Sequence, residues 1–243
     1  MQFLIRITVF LWWFYIAVVF LGALLCALYS RYSKKCKKRL AQKNSEVNQS
    51  GEGYSSTARK RLLLRVNNYC YGLCRYYSIL IGKIPSKRIR VFLLKVVFCM
   101  KVAKRAVVYG GFEIRSPWNI EIGECVIGVN ALLDGRNGIV IKDGVCLAQN
   151  VSIYTEQHDI NDRLFRTNGK GGPVFIDELA WISSRTTILP KVLVGRGAVL
   201  AAGGVATKNL EPFGVYAGVP AKKIAQRNTE INYCVVDNYW HFY

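Results

Sequence analysis

The chain has 243 residues and a formal net charge of +19, and 51% of its residues are hydrophobic. With only 20% charged residues, it is excluded from the intrinsically disordered class. Residues 1–110 contain 21 Lys and Arg against two acids, Glu46 and Glu52, whereas residues 111–243 contain 13 of each sign. The excess positive charge therefore belongs to the N-terminal part. This distribution, and the lack of any recognisable binding module, argue against a nucleic-acid partner.

A long apolar stretch lies near the N-terminus. Residues 7–29 are 23 consecutive residues without a formal charge. As a helix they would rise about 35 Å, enough to cross a hydrocarbon core of about 30 Å. A cleaved signal peptide is disfavoured because the stretch is too long and no small-x-small cleavage site follows it. We therefore predict a transmembrane anchor over residues 1–30.

The charges that flank this stretch predict its orientation. Arg6 stands alone before it, and six basic residues follow it: Arg31, Lys34, Lys35, Lys37, Lys38 and Arg39. The positive-inside rule then predicts a single-pass protein of the inner membrane with the following domain in the cytoplasm. The eight Cys show no paired framework, which agrees with a reducing compartment. Residues 31–60 are predicted to be a basic and polar linker.

Residues 61–110 are predicted to be an amphipathic helical region, with two helices broken at Pro85. The second helix has an apolar side with basic residues interspersed. Two compatible interpretations stay open. A basic amphipathic helix would suit the anionic inner leaflet, and an ordinary helix would pack on the following domain.

A six-residue repeat predicts the fold. Aliphatic residues recur at every sixth position: Ile176, Ile182, Ile188, Val194, Leu200 and Ala206. Four positions after each of the first five comes a small or β-branched residue: Ala180, Thr186, Val192, Ala198 and Gly204. The same columns run earlier, with one extra residue near 135–138. A period of six excludes a helical face, and each hexad fits a short strand plus a turn. We predict a mainly β protein, a parallel β-helix over residues 111–227 with a tail over 228–243.

Over residues 111–227 the chain resembles the left-handed β-helix acyltransferases, and among them the galactoside and maltose O-acetyltransferase group. The resemblance rests on the hexads and on residues 154–159, 174–182 and 216–222. It implies a left-handed parallel β-helix, a homotrimer, acetyl-CoA as cosubstrate in a groove between adjacent shafts, and no metal. Nothing in the family accounts for residues 1–60.

The hexads stop after Ile153 and resume at Val174, and this interruption contains His158. Loops that leave a rigid scaffold often carry function. Acetyl transfer from a thioester to a hydroxyl needs a base, and a neutral His suits that task near pH 7. His158 stands where the family has its catalytic His, so the resemblance implies that it is the general base, at the trimer interface. His241, in the aromatic tail, is not expected to take part.

The resemblance also implies roles for other residues. Trp181 would lie beside the catalytic centre, and Asn150 and Asp159 near the acceptor. Residues that match coenzyme A contacts of the family are Ser184, Ala202, Thr207, Lys208 and Lys222. Lysine suits phosphate and pyrophosphate because both are dense anions.

Three glycines of the family pattern are replaced here, by Ser183, Lys191 and Ala201. Lost glycines would narrow the pantetheine slot or change the backbone torsions beside it. An oxyanion donor is expected near Ser184.

The sequence therefore predicts a membrane-anchored, acetyl-CoA-dependent O-acetyltransferase. Its acceptor would be a sugar, on a nucleotide- or lipid-linked intermediate in the biosynthesis of a bacterial capsule, lipopolysaccharide or exopolysaccharide. One alternative is a serine or amino-sugar N-acetyltransferase, with the same chemistry and a different nucleophile. Another is a non-catalytic trimeric scaffold at the membrane.

Overall fold

Three helices precede a β-solenoid in the computed structural model, which describes residues 2–46, 58–167, 169–231 and 233–236. The helices are α1 (Gln2–Glu46), α2 (Ala58–Gly82) and α3 (Lys87–Phe98). The predicted break at Pro85 is confirmed, since it falls in the turn between α2 and α3. His241 lies outside the described residues.

The solenoid strands are short, and a 3-10 helix (Pro117–Asn119) lies between the third and fourth. In chain order the strands are β1 (Lys101–Val102), β2 (Val107–Val108), β3 (Glu113–Arg115), β4 (Ile120–Ile122), β5 (Val126–Ile127), β6 (Leu132–Asp134), β7 (Ile139–Ile141), β8 (Cys146–Leu147), β9 (Ser152–Ile153), β10 (Val174–Ile176), β11 (Trp181–Ile182), β12 (Thr187–Ile188), β13 (Leu193–Val194), β14 (Val199–Leu200), β15 (Val205–Ala206), β16 (Gly214–Ala217) and β17 (Lys222–Gln226).

These strands form the three faces of a triangular shaft. The first face has the order β1-β4-β7-β10-β13, the second β17-β16-β14-β11-β8-β5-β2, and the third β15-β12-β9-β6-β3. Each of the first five coils takes one strand from each face, and β16 follows on the second face. Among the strands that the structure describes, only the pairing of β16 with β17 is antiparallel. This is the predicted parallel β-helix, and it matches the left-handed form.

The two columns of the repeat fill the inside of the shaft. Every aliphatic position from Ile176 to Ala206 is 0% exposed, and the companion residues from Ala180 to Ala198 are at most 2% exposed. Consecutive coils align these positions, as Ile182 pairs with Leu147 above and Leu200 below. The extra residue near 135–138 is absorbed at a corner, where Gly138 has a φ of +107° that glycine adopts without strain.

Helix α3 closes the N-terminal end of the shaft and also exposes an apolar face. Leu94 and Phe98 are fully buried. The buried Arg90 guanidinium donates to the Val108 carbonyl oxygen at 2.9 and 3.1 Å and to the Ile84 carbonyl oxygen. On the other side, Phe92 is 61% exposed. Helix α3 therefore packs on the domain, as one of the two interpretations predicted. Its outward face stays available for the membrane contact of the other interpretation.

Helix α1 is longer than the predicted anchor. It runs for 45 residues to Glu46, so the first part of the predicted linker is helical. No Gly or Pro occurs between Gly22 and Gly51 to end it. Within it, Ile5–Lys37 has a mean hydropathy of 2.4 over its most apolar window and is, by length and composition, able to cross a membrane.

The middle of α1 packs against α2 in antiparallel orientation. The Tyr77 hydroxyl donates to the Val19 carbonyl oxygen at 2.9 Å, and the Cys74 thiol lies 4.0 Å from the Cys26 carbonyl oxygen. A side chain at Gly22 would overlap the Tyr77 hydroxyl, so glycine permits this close approach. The second half of the predicted anchor is therefore in contact with the body, whereas residues 5–15 are exposed on all sides.

Two leucines test the position of the core. Leu200→Ala should lower the free energy of unfolding by about 2–5 kcal/mol, because Leu200 is 0% exposed inside the shaft. The matched variant Leu193→Ala should cost well under half as much, because Leu193 is 44% exposed on the first face. Denaturant unfolding followed by circular dichroism measures both. Equal losses would contradict the assignment of inward and outward positions.

Candidate active site

The loop of residues 154–173 leaves the shaft at one edge. It joins β9 on the third face to β10 on the first face. We call the edge between these faces the loop edge. Thr155, which is fully buried, fastens the start of the loop because its hydroxyl donates to the Asp134 carbonyl oxygen at 2.6 Å and accepts from the Asn137 amide at 2.9 Å. The Gly172 amide donates to the Thr155 carbonyl oxygen at 2.9 Å, which closes the base.

The tip of the loop holds His158 in a defined orientation. Its ring stacks on Phe165, with centroids 4.1 Å apart and planes 9° apart. His158 Nδ1 lies 2.5 Å from the Phe165 carbonyl oxygen. The Asp159 amide donates to the Arg166 carbonyl oxygen at 2.8 Å, and the Arg166 guanidinium pairs with both carboxylate oxygens of Asp162. These bonds hold the two strands of the loop together.

The contact with Phe165 selects the tautomer of His158. A carbonyl oxygen can only accept a hydrogen bond, so Nδ1 must carry the proton and donate it. In the neutral imidazole, Nε2 is then the atom with a free lone pair. His158 is exposed, so Nε2 is available to take a proton from an incoming hydroxyl. This is the arrangement that a general base needs.

A charged cluster stands beside the base of the loop. Asp134 is fully buried, and its Oδ2 lies 2.6 Å from Arg136 Nη2 and 4.0 Å from Arg115 Nη1. The hydrogen bond to Asp134 raises the pKa of Arg136. The sequence reasoning missed these residues. The phase shift at residues 135–138 could have indicated them, because side chains beside an extra corner residue no longer follow the positions that the repeat sets.

Of the predicted cofactor contacts, Thr207 and Lys208 lie on the loop edge. They follow β15, two coils beyond the loop, and both are exposed. Lys191, one coil nearer, donates from its ammonium group to the Gly169 carbonyl oxygen at 3.1 Å. The loop edge thus carries the base and two of the five predicted cofactor residues.

The other three predicted cofactor residues lie near the edge between the second and third faces, as do Asn150 and Trp181. Stacked corners of this edge carry five residues with positive φ: Gly111, Asn130, Asn150, Arg185 and Gly203. We call it the asparagine edge. Ser184 and Ala202 stand in its corners, and Trp181, 46% exposed on β11, precedes it. Lys222 follows Ala221, whose amide donates to the Val205 carbonyl oxygen at the start of β15.

The predicted site residues do not all lie together within one chain. His158 and Asp159 are on the loop, whereas Trp181, Ser184 and Ala202 are at the asparagine edge, on the other side of the third face. Asn150 has a φ of +58° and accepts a hydrogen bond from the Asn130 amide nitrogen at 3.3 Å. The left-handed corner therefore explains locally why position 150 is Asn, because Asn tolerates this conformation better than most residues.

Of the three replaced glycines, only position 191 has a backbone that glycine would favour. Lys191 has a φ of +69°, whereas Ser183 and Ala201 have no positive φ and donate their amides to the Leu200 and Tyr216 carbonyl oxygens. The Lys191 side chain also packs on Gly172. A residue other than glycine is strained in the left-handed conformation. At position 191, however, the lysine side chain fastens the end of the loop.

Among the described residues, no cluster of three or more His, Cys, Asp or Glu side chains could hold a metal ion.

Similar sequences and similar solved structures indicate the same family. No protein-family model matches the chain. Putative acetyltransferases of Staphylococcus aureus (strain MRSA252) and Saccharomyces cerevisiae are 31% and 35% identical to it, over 49% and 50% of its length. The chain spans 61% of the staphylococcal relative and 68% of the yeast one.

Two solved structures have the same fold. A maltose O-acetyltransferase from Clostridium difficile superposes with a TM-score of 0.58 at 29% identity, covering 73% of this chain and 94% of that one. A galactoside acetyltransferase in complex with coenzyme A gives 0.56 at 29% identity, over 63% and 80%. The chain belongs to the hexapeptide-repeat acetyltransferase family, in the group that resembles the maltose and galactoside enzymes.

Substitutions at Lys191 test its hold on the loop. Lys191→Gly and Lys191→Ala both lose the bond to Gly169, so a protease should cut residues 154–173 faster in both variants. Only glycine relieves the positive φ, so Lys191→Gly should be more stable than Lys191→Ala by about 1 kcal/mol. Limited proteolysis with mass spectrometry and denaturant unfolding measure the two effects. Unchanged cleavage in both variants would refute the tether.

Proposed function

We propose that this protein transfers an acetyl group from acetyl-CoA to a hydroxyl of a sugar, with His158 as the general base. Membership of the acetyltransferase family supports the reaction class. The observation that carries the role of His158 is the bond from Nδ1 to the Phe165 carbonyl oxygen at 2.5 Å. It fixes the ring and leaves the basic Nε2 exposed.

In the proposed reaction the sugar oxygen attacks the thioester carbonyl carbon while His158 Nε2 takes the hydroxyl proton. The carbon–sulfur bond then breaks, the acetyl ester forms, and the thiolate leaves and recovers the proton as free coenzyme A. Asp159 and Asn150 are proposed near the acceptor, and Trp181 beside the reacting groups. A donor near Ser184 would stabilise the oxyanion of the tetrahedral intermediate.

The residues proposed for coenzyme A suit an anionic cosubstrate. Ala202, Thr207, Lys208 and Lys222 are exposed, and the two ammonium groups can face phosphates. The galactoside acetyltransferase of the same fold is a coenzyme A complex, which supports the cosubstrate. Because the base and the Trp181 side lie at different edges, we propose a homotrimer in which the loop edge of one shaft faces the asparagine edge of its neighbour.

We further propose that α1 anchors the protein in the inner membrane with the catalytic domain in the cytoplasm, where it modifies a nucleotide- or lipid-linked intermediate of a bacterial surface polysaccharide. The apolar length of α1 and the exposure of residues 5–15 support the anchor. The basic residues after it support the orientation. Three anchors in a trimer would strengthen attachment through multivalency.

Removal of the base tests the reaction. His158→Ala should lower kcat/KM by about 10²–10⁴-fold, the usual contribution of a general base, while coenzyme A binding stays unchanged. Release of free thiol from acetyl-CoA with a panel of sugars measures turnover, and calorimetry measures binding. The control is Arg163→Gln, an exposed change on the same loop that should keep full activity.

The same assay separates the alternatives. Turnover by His158→Ala at the wild-type rate would refute the proposed base. Turnover with serine or with amino sugars, but with no sugar that lacks an amino group, would favour serine acetyl transfer or N-acetyl transfer. A wild-type protein that binds no coenzyme A would favour the non-catalytic scaffold.

Charged substitutions test the anchor without disturbing the packing of α1. Leu11 and Phe14 are 56% and 59% exposed, so Leu11→Lys with Phe14→Lys should leave the fold intact. The double change should move the protein from the membrane pellet to the soluble fraction, since each Lys costs about 2.5–3.5 kcal/mol at the centre of a membrane helix. Leu11→Ala with Phe14→Ala is the control. Full recovery of the wild type in the soluble fraction without detergent would contradict the anchor.

A further inference from the structure

The part of α1 that follows its apolar stretch lies on the body of the protein. The Tyr29 ring packs edge-on against Trp118, with centroids 5.4 Å apart and planes 84° apart. Further along α1, the Lys34 ammonium group donates to the Cys99 carbonyl oxygen at 2.8 Å. These two contacts fix the direction in which α1 continues across the N-terminal coils of the shaft.

This direction brings Lys37 to the loop edge. Its Nζ atom lies 3.8 Å from the position that a Cβ atom would take at Gly138, and both Pro173 Cβ and the Asn119 carbonyl oxygen lie at the same distance from that position. Gly138 ends the corner that precedes the loop, and Pro173 is the last residue of the loop. The Lys37 ammonium group therefore stands beside the base of the loop that carries His158.

The ammonium group of Lys37 is a positive charge in excess at this corner. Among the residues that the structure describes, none forms a hydrogen bond or an ion pair with it, and the side chain is exposed. The charges beside it balance one another. The carboxylates of Asp134 and Glu156 stand against the guanidinium groups of Arg115 and Arg136. Lys37 is thus free to bind an anion from solution.

Lys37 and the residues proposed for coenzyme A lie on opposite sides of the loop. The loop joins the third coil to the fourth, and the corner at Gly138 lies one coil before it. All the residues proposed for coenzyme A belong to the fourth coil or to later parts of the chain. Because the coils stack in chain order, an acceptor that meets acetyl-CoA at His158 from the other side passes Lys37.

We propose that Lys37 binds a phosphate group of the acceptor and so selects sugars that are attached to a phosphate or a diphosphate. Lysine presents a compact charge with three donors, which suits a phosphate, and hydrogen bonds between charged groups are the strong ones. This inference rests on the proposed acetyl transfer to a sugar. It gives α1 a part in acceptor recognition, and it holds whether or not α1 crosses a membrane.

Kinetics of the full-length protein with matched acceptors test the selection. Each sugar of the panel is offered as the methyl glycoside, as the nucleoside diphosphate sugar and as the farnesyl diphosphate sugar. The better of the two diphosphate forms should have a kcat/KM roughly tenfold or more above that of the glycoside, because it gains a charge-assisted contact. Comparison of the two diphosphate forms shows whether the phosphate comes from a nucleotide or from a lipid carrier.

Substitutions show whether Lys37 is the cause of this preference. Lys37→Gln should remove it by raising KM for the diphosphate form, with kcat unchanged, and Lys37→Arg should retain it. Lys35→Gln is the matched control, since Lys35 is exposed on the same helix and points about 160° away. Equal kcat/KM for glycosides and diphosphates, or a preference that survives Lys37→Gln, overturns the inference and leaves the proposed acetyl transfer intact.

Binding of inorganic pyrophosphate decides on the anion site without turnover. Calorimetry is carried out with coenzyme A at saturation, so that the phosphate contacts of the cosubstrate are occupied. The wild type and Lys35→Gln should bind pyrophosphate, and Lys37→Gln should bind it roughly tenfold more weakly. Equal affinity in all three proteins, or no binding to the wild type beside coenzyme A, overturns the inference. Absence of turnover with every acceptor counts instead against the proposed function.

Discussion

Burial of one aliphatic side chain at every sixth position is the constraint on which the rest of this structure depends. A hexad cannot bury its own side chain, so each coil is stable only between its neighbours. Ile182, between Leu147 and Leu200, shows the principle. Because the interior needs only aliphatic and small side chains at fixed spacing, the corners and outward positions are free to differ. All the proposed chemistry is found there, on a backbone whose position is fixed by the core.

The repeat is readable from the sequence because its period reflects a purely local geometry. One strand and one corner occupy six residues, so spacing alone assigns inward positions such as Ile188 and Leu200. The loop containing His158 is found for the same reason, as an interruption in the period. What the sequence could not supply was the partner of its ring. The stacking on Phe165 depends on how the loop folds back on itself, seven residues further along.

Other features depended on contacts between distant parts of the chain. Residues 7–29 satisfy the criteria for a free transmembrane helix, yet Val19 and Cys26 contact α2, about fifty residues away in sequence. Hydropathy indicates whether a helix can enter a membrane, but it does not show which other part of the chain packs against that helix. Similarly, the sequence did not show that Asn150 has a positive φ and accepts a hydrogen bond from Asn130 of the neighbouring coil. The acceptor role that the resemblance implies for Asn150 stays a prediction.

The stacked left-handed corners of the asparagine edge mark equal steps along the axis of the shaft. Neighbouring coils are about 4.8 Å apart, so heights along the shaft can be counted in coils. Asn130 is two coils from Ser184 and three from Ala202, or roughly 10 and 14 Å. The distance between two corner residues of this edge is therefore set by the number of coils between them. An inserted coil would move Ser184 away from Asn130 by about 4.8 Å and would leave the conformation of each corner unchanged.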